Sequence, residues 1–139
     1  MNFLGILKDG LKIAPPEAPT TGYLLGKGIY FSDAFAKSKM YVSGNKKIIL
    51  LCEVAMGTVQ RIQTPEQHRE LDLKTVKVNT LIGEGVNVPN SRLDVVIPNG
   101  MIMPMGDIEV KEHGSKPFLW NEFCVFSETQ VKMRYMVVF

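Results

Sequence analysis

Cysteines are few in this sequence, and long apolar runs are missing from it. The chain contains two cysteines, Cys52 and Cys124, each inside an apolar stretch. We therefore expect two buried free thiols rather than a disulfide or a metal site, which fits a reducing compartment, the nucleus or the cytoplasm. No apolar run reaches the ~18 residues of a membrane span, and the opening residues lack the features of a signal peptide. A membrane partner is not expected.

Net charge of either sign is also scarce. The 16 basic and 14 acidic residues leave a formal charge of +2, which is too small to attract nucleic acid by electrostatics alone. Direct nucleic-acid binding is therefore not indicated. Apolar residues make up 45% of the chain and charged residues 22%, a balance typical of one globular domain across residues 1–139 with a single core.

The first part of the chain has the pattern of a helix, a stiff loop, a strand and a second helix. The apolar spacing of "NFLGILKDGL" predicts a helix with one buried face that ends at Gly10. The prolines of the next segment predict an extended, semi-rigid loop. Residues 27–31 are expected to form a strand, after which Ser32 or Asp33 caps a helix that ends near Gly44.

The rest of the chain is expected to be rich in strands. The apolar run at 46–56 predicts a central strand covered on both faces. Residues 64–91 are predicted to form a long irregular connection, because polar residues, glycine and proline interrupt the apolar pattern. Two strands are expected around turns at 98–100 and 104–106. The final stretches, "FLWNEFCVF" and "QVKMRYMVVF", are predicted to pair as an antiparallel hairpin in the core.

Glu122 places a charge inside an apolar strand. Period-two alternation puts it on one face with Trp120 and Cys124, where an isolated buried carboxylate costs several kcal/mol. The carboxylate therefore pairs with Lys132 or Arg134 on the next strand, is neutralised, reaches water at a strand edge, or opens into a functional cleft. The pattern leaves the structural and the functional interpretation equally open.

Four polar side chains around the second predicted helix raise a similar choice. Helical spacing brings Lys37, Ser38 and Tyr41 to neighbouring positions, and Tyr30 precedes them on the predicted strand. An aromatic ring can stack on a flat heterocycle, and a hydroxyl can hydrogen-bond its carboxamide. The alternative is a solvated helix face with a core tyrosine, which the spacing alone favours.

The order of several motifs resembles a known enzyme domain. "GLKIAPPEAPTTGYLLGKGIYFSDAFAKSKMY", "ILLCEVAMG" and "NEF" follow one another as in the catalytic domain of poly(ADP-ribose) polymerases. The resemblance implies an α+β class and an ADP-ribosyltransferase fold of two packed, mainly antiparallel sheets with short helices. It also implies NAD as substrate, no metal, and transfer of ADP-ribose to an acceptor protein or ADP-ribose chain with release of nicotinamide. Nuclear placement is an expectation of the same kind.

The resemblance gives roles to the residues left open above. It implies that the Ser38 hydroxyl bonds the nicotinamide amide, that Tyr41 stacks on the nicotinamide ring, and that Tyr30 forms the opposite wall. Lys37 matches a lysine beside the transfer site. Glu122 matches the catalytic glutamate, whose carboxylate bonds a ribose hydroxyl and stabilises an oxocarbenium-like transition state.

The same resemblance extends to the ADP-ribose half of the substrate. The proline-rich loop resembles a lid over the donor, with Tyr23 at its far end. Gly5, Lys12 and Asn2 match positions that contact the ADP-ribose half. Lys12 stands where the family usually has arginine, so it keeps the positive charge but loses the bidentate fork.

One family motif has no counterpart at its usual place. The family's His-Gly-Ser motif precedes the position of Asn2, so the domain is expected to be N-terminally truncated. The sequence "HGS" at 113–115 is out of the family's order and is interpreted as coincidence. The absence leaves an alternative function open, a non-catalytic interaction module with the same fold.

Overall fold

The secondary structure comes from a computed structural model that describes residues 3–19, 22–44, 47–70, 77–112 and 118–139. The helices are α1 (Phe3–Asp9), α2 (Phe35–Lys39) and α3 (Pro65–Glu70). The strands are β1 (Ile29–Phe31), β2 (Ile48–Val54), β3 (Val59–Ile62), β4 (Thr80–Gly83), β5 (Gly85–Pro89), β6 (Val95–Val96), β7 (Ile102–Met103), β8 (Ile108–Val110), β9 (Phe118–Trp120), β10 (Glu122–Val125) and β11 (Val131–Val138). Asn2 and the "HGS" at 113–115 lie outside the described residues. No helix in the described ranges is long and apolar enough to cross a membrane.

The pairing of these strands confirms the predicted α+β class with mainly antiparallel sheets. Five of the seven pairings between described strands are antiparallel. The pairings form four sheets in the described ranges, with strand orders β1-β10-β4-β3, β8-β5-β9, β11-β2 and β6-β7. The expected two sheets are thus subdivided, because several strands are only two or three residues long.

The four-stranded sheet carries the hydrophobic core. β10 lies between β1 and β4, with Cys124 opposite Tyr30 on one side and Leu81 on the other. Leu25, Leu81 and Cys124 are fully buried in one cluster, and every residue of β4 is buried. Because β10 is held on both sides, its first residue, Glu122, is fixed relative to the core.

The position of β4 and β5 corrects the prediction that residues 64–91 form an irregular connection. The two strands are short, and the glycines at their adjoining ends, Gly83 and Gly85, interrupt the apolar pattern. Gly83 and Gly85 are required by close packing rather than by turns: a Cβ on Gly83 would lie 2.8 Å from the Phe118 ring, and one on Gly85 would lie 2.1 Å from the Trp120 backbone. The glycines therefore mark close approach between strands.

The predicted final hairpin is also wrong. β10 pairs with β1 and β4, whereas β11 pairs with β2 in another sheet. A 3₁₀ helix at Glu128–Gln130 separates them, and a capping box between Ser127 and Gln130 fixes its start. The stretch "FLWNEFCVF" is itself divided at Asn121, because β9 joins the sheet of β5. Local alternation predicted the strands but contained no information on their partners.

Two apolar elements are less covered than the sequence predicts. β2 has a single strand partner among the described residues, and Leu51 at its centre is 45% exposed. The interpretation of β2 as a central strand covered on both faces is therefore wrong. α1 ends before Gly10 as predicted, but none of its residues is buried, and Leu4 is 81% exposed.

The second helix is shorter than predicted. α2 ends at Lys39 rather than near Gly44, and its N-cap is Ala34, with no side-chain cap. The Ser32 hydroxyl instead accepts a hydrogen bond from the Ala34 amide at 3.1 Å, before the helix begins. Asp33 does not cap the helix because Asn121 donates to its carboxylate.

Both cysteines are free, as predicted, but only one of them is buried. Cys124 is fully buried, whereas Cys52 on β2 is half-buried. Burial raises the pKa of the Cys124 thiol to about 12. Cys52 is less covered because β2 lies in the two-stranded sheet.

We predict that Gly85→Ala destabilises the protein by about 3 kcal/mol, because the added Cβ overlaps the backbone of β9. Urea unfolding monitored by circular dichroism measures this change. Gly100→Asn is the matched control: nothing lies within 4 Å of a Cβ there, and asparagine tolerates the positive φ of 81°. The control should lose less than about 1 kcal/mol. Equal losses in the two variants would contradict the close approach at Gly85.

Candidate active site

An ion pair with little access to water joins Glu122 to Lys37. The Lys37 Nζ lies 2.9 Å from Glu122 Oε1, and the side chains are 8% and 15% exposed respectively. The same Nζ donates a hydrogen bond to the Asn121 carbonyl oxygen at 3.1 Å. The alternative in which Glu122 pairs with Lys132 or Arg134 is therefore wrong. Arg134 bonds Glu53 instead, and Lys132 lies opposite Glu53 in the β11–β2 register.

The position of this pair follows from the fold. Glu122 begins β10 opposite Gly83, at the end of the four-stranded sheet. Lys37 is the buried residue of α2, the short helix that follows β1. Since β1 and β10 are antiparallel neighbours, the helix that follows β1 lies near the first residue of β10. Each charge is expensive to bury alone, and together they are compatible with the interior.

Asp33 is a second carboxylate near Lys37. Asn121 Nδ2 donates to Asp33 Oδ2 at 2.7 Å, while Asp33 Oδ1 is buried with no hydrogen-bond partner among the described residues. Burial raises the pKa of Asp33, whereas the Asn121 bond and the nearby Lys37 charge act in the opposite direction. No group of three or more His, Cys, Asp or Glu side chains in the described ranges is arranged to hold a metal ion.

Ser38 and Tyr41 lie beside Lys37 in sequence but differ from it in burial. Ser38 is half-buried in α2, and Tyr41 follows the helix in a turn and is 71% exposed. Because α2 ends at Lys39, Tyr41 does not continue the helical face. The single face of amine, hydroxyl and ring is therefore formed only in part: the amine is inside and the ring outside.

Two tyrosines form an aromatic pair next to the core. The rings of Tyr23 and Tyr30 have centroids 6.1 Å apart and are tilted by 43°. The Tyr30 hydroxyl donates to the Gly26 carbonyl at 2.8 Å and accepts from the Leu25 amide at 2.7 Å. Burial raises the pKa of Tyr30 above its usual value. Tyr30 is thus a neutral, fixed side chain that positions a ring.

The proline-rich loop is held by a lysine that the sequence analysis did not select. Lys27 Nζ donates to the carbonyl oxygens of Pro15 at 2.7 Å and Ala18 at 2.8 Å, and also to that of Pro16. Prolines interrupt the local hydrogen bonding of such a loop because they lack an amide donor. One ammonium group with three donors satisfies these carbonyls together.

Lys12 and Gly5 are two of the residues predicted to contact the ADP-ribose half. Lys12 is exposed and forms an ion pair with Glu128 at 2.8 Å, beside a cleft of about 350 Å³ that Thr129 and Met133 also line. The Lys12 hydrogen bond, with that of the Ile13 amide, lowers the pKa of Glu128. Gly5 is half-buried in α1. Asn2 lies outside the described residues, so its predicted role stays a prediction.

Comparison with known proteins defines the class to which this fold and site belong. The family model of the poly(ADP-ribose) polymerase catalytic domain matches residues 1–139. The chain is 38% identical over 140 residues to poly [ADP-ribose] polymerase 2 of Arabidopsis thaliana, covering 98% of the chain and 22% of that protein. It is 38% identical over 144 residues to poly [ADP-ribose] polymerase 1 of Caenorhabditis elegans, covering 99% and 15%. The Drosophila melanogaster poly [ADP-ribose] polymerase is 35% identical over 139 residues, covering 97% and 14%.

These matches confirm an α+β domain with an ADP-ribosyltransferase fold. The chain belongs to the poly(ADP-ribose) polymerase catalytic domain family. It spans 22% or less of the length of these three curated relatives. The matches therefore show the family of this chain, and the activity of the full-length relatives is not assigned to it by these matches alone.

The residues that sequence reasoning missed are those that hold others in place. Asn121 accepts a hydrogen bond from Lys37 and donates one to Asp33. Lys27 holds the proline-rich loop. Asparagine between two apolar strands is a local signal, because an uncharged polar residue there needs hydrogen-bond partners. Lys27, between two glycines, offers a weaker signal. None of these contacts is visible from spacing along the chain.

We predict that Lys37→Met lowers the free energy of unfolding by about 3 kcal/mol, because it leaves the Glu122 carboxylate without its cation. The double variant Lys37→Met/Glu122→Gln removes both charges. It should be more stable than the single variant by about 1 kcal/mol or more, since the unpaired charge is gone. Urea unfolding of the four proteins in this cycle provides the measurement. Strictly additive effects would show that the two side chains do not interact.

Proposed function

We propose that this chain acts as an NAD-dependent ADP-ribosyltransferase of the poly(ADP-ribose) polymerase type. The observation that carries the proposal is the Glu122 carboxylate, largely removed from water and held 2.9 Å from the Lys37 ammonium. Family membership across residues 1–139 supports it, as do the relatives named poly [ADP-ribose] polymerase. The substrate would be NAD, and the acceptor a protein or a growing ADP-ribose chain.

The proposed reaction exchanges one bond at a ribose carbon. The bond between C1′ of the nicotinamide ribose and the nicotinamide nitrogen breaks, and its electron pair leaves with nicotinamide as a neutral molecule. Positive charge develops at C1′ and the ring oxygen. A nucleophilic atom of the acceptor then bonds C1′ and releases its proton. Stabilising this developing charge is where the protein accelerates the reaction.

Glu122 is the group proposed to stabilise that charge. A carboxylate that accepts a hydrogen bond from a ribose hydroxyl increases the electron density of the sugar as the transition state forms. Electrostatic effects of this kind are stronger where water is excluded, and Glu122 lies in such a place. Lys37 keeps the carboxylate in one orientation through its second bond to the Asn121 carbonyl. Lys37 thereby places Glu122 beside the transfer site.

The nicotinamide platform is proposed to consist of Ser38, Tyr41 and Tyr30. The exposed ring of Tyr41 leaves an aromatic face available for stacking on the nicotinamide ring. The Ser38 hydroxyl, one residue after Lys37 on α2, would bond the carboxamide. Tyr30 would supply the opposite wall. Its hydroxyl already donates to the Gly26 carbonyl and accepts from the Leu25 amide, so the ring is held in place.

The ADP-ribose half of NAD is proposed to contact Gly5, Lys12 and Tyr23, with Asn2 on the adenosine side. Lys12 lines the cleft of about 350 Å³. It now pairs with Glu128, so a pyrophosphate bound there would replace one anion by another around the ammonium. Lysine offers a point charge rather than a bidentate fork, which favours weaker orientation of the phosphates.

The nucleus or the cytoplasm is the proposed location. Two free cysteines support a reducing compartment. The nucleus is the family expectation.

We predict that Glu122→Gln reduces transfer from labelled NAD by about a hundredfold or more, because the neutral amide stabilises the developing charge poorly. Binding of a nicotinamide-mimic inhibitor should be retained, since Glu122 faces the ribose. Glu53→Gln is the matched control: it makes the same chemical change at a carboxylate on β2 that is paired to Arg134 on β11. It should transfer like the wild type. Inhibitor binding without any Glu122-dependent transfer would favour the non-catalytic module.

We predict that Tyr41→Ala weakens the nicotinamide-mimic inhibitor about fivefold to tenfold through loss of ring stacking. Isothermal titration measures the dissociation constant. Tyr135→Ala is a matched control, because Tyr135 on β11 is 69% exposed and Tyr41 is 71% exposed. The control should bind the inhibitor normally. Unchanged affinity in Tyr41→Ala would remove Tyr41 from the platform.

A further inference from the structure

Asn121 makes hydrogen bonds to three other residues through its backbone and its side chain. Its carbonyl oxygen accepts from Lys37 Nζ at 3.1 Å. Its side-chain Oδ1 accepts from the Gly85 amide at 2.9 Å, and its Nδ2 donates to Asp33 Oδ2 at 2.7 Å. Glu122 is the next residue in the chain. The orientation of Glu122 therefore depends on the backbone that these bonds hold.

The location of Asn121 between two strands makes these bonds possible. Asn121 belongs to neither β9 nor β10, so its carbonyl oxygen remains available to Lys37. Gly85 allows the backbones to approach, because a Cβ there would lie 2.4 Å from the Asn121 nitrogen. The side chain of Asn121 completes the junction by bonding the Gly85 amide. The residue between the two strands is thus held by specific hydrogen bonds.

The charges around Lys37 give the side-chain bond to Asp33 a further role. Two carboxylates, Glu122 and Asp33, act on one ammonium group. Asp33 receives the Asn121 amide, and its other oxygen has no partner in the described residues. Without that amide, a poorly solvated Asp33 would compete with Glu122 for Lys37. Asn121 satisfies Asp33, and so leaves the Lys37 ammonium to Glu122.

We propose that Asn121 and Asp33 are positioning residues for the transfer reaction: their hydrogen bond keeps Lys37 on Glu122 and fixes the direction of the catalytic carboxylate. This inference rests on the proposed function of Glu122. It assigns to both residues an effect on turnover that is exerted through Glu122, with neither touching NAD.

The first test is Asn121→Ala. Transfer kcat should fall about tenfold to a hundredfold, as for a displacement of a catalytic group by around 1 Å. The dissociation constant of the nicotinamide-mimic inhibitor should stay within about threefold of the wild type. In the Glu122→Gln background the same change should lower kcat by less than about threefold, because residues acting as a unit are non-additive.

A rescue and a control separate positioning from general stability. Asp33→Asn/Asn121→Asp exchanges donor and acceptor, keeps the Gly85 bond and the total charge, and should restore kcat to within about threefold of the wild type. Asn87→Ala is the control, since Asn87 on β5 donates to the Leu119 carbonyl of β9 at 2.8 Å without contacting Lys37 or Glu122. It should lower thermal stability and leave kcat unchanged.

A readout that needs no activity keeps the inference testable by itself. The ¹⁵N NMR signal of the Lys37 ammonium should be protected from exchange with water in the wild type. It should lose that protection in Asn121→Ala, and should keep it in Asn87→Ala. If the wild type shows no Glu122-dependent transfer, the proposed function is overturned. The ammonium signal still tests whether Asn121 holds Lys37 in place. Unchanged ammonium exchange or unchanged kcat in Asn121→Ala, or equal losses in Asn87→Ala, overturns the inference.

Discussion

The structure depends on the ion pair between the poorly solvated Glu122 carboxylate and the Lys37 ammonium. Glu122 begins β10, and its neighbours Phe123 and Cys124 belong to the core sheet. A charge in this place is tolerated only if an opposite charge is brought to it. Lys37 arrives from α2, 85 residues earlier in the chain. The short helix, the strand before it and the end of β10 are therefore arranged around one contact, which the function would then use.

Two glycines set the geometry that makes this contact possible. Gly83 lies against the Phe118 ring, and Gly85 against the backbone of Trp120 and Asn121. These close approaches let β9 leave one sheet and β10 enter another with a single residue between them. That residue is Asn121. Its backbone carbonyl and its side-chain Nδ2 bond Lys37 and Asp33 instead of a neighbouring strand. Packing and polar contacts are thus two aspects of the same junction.

Sequence reasoning identified residues whose chemistry needs an explanation, but it did not identify their contacts in the fold. The apolar surroundings of Glu122 showed that its charge needed an explanation, and motif order assigned Ser38 and Tyr41 to a nicotinamide site, an assignment that stays a prediction. The only partners that sequence reasoning considered for Glu122 were on the next strand, because alternation describes a strand and not what it pairs with. Strand β4 was missed because its four residues lie between polar residues and glycine. Long-range contacts such as Lys37 to Glu122 are fixed by the whole fold, so no local pattern contains them.

The segment at 25–27 shows how the two sides of the proposed donor cleft are joined. Lys27 bonds three carbonyls of the proline-rich loop, and the neighbouring Leu25 amide and Gly26 carbonyl bond the Tyr30 hydroxyl. The loop and the Tyr30 side chain are therefore attached to the same three residues. Prolines stiffen the loop, so it would lose little conformational entropy if it closed over a ligand. The Lys27 side chain thus fixes the proline-rich loop by hydrogen bonds to its backbone carbonyls, and the proposal gives Asn121 a comparable holding role beside Glu122.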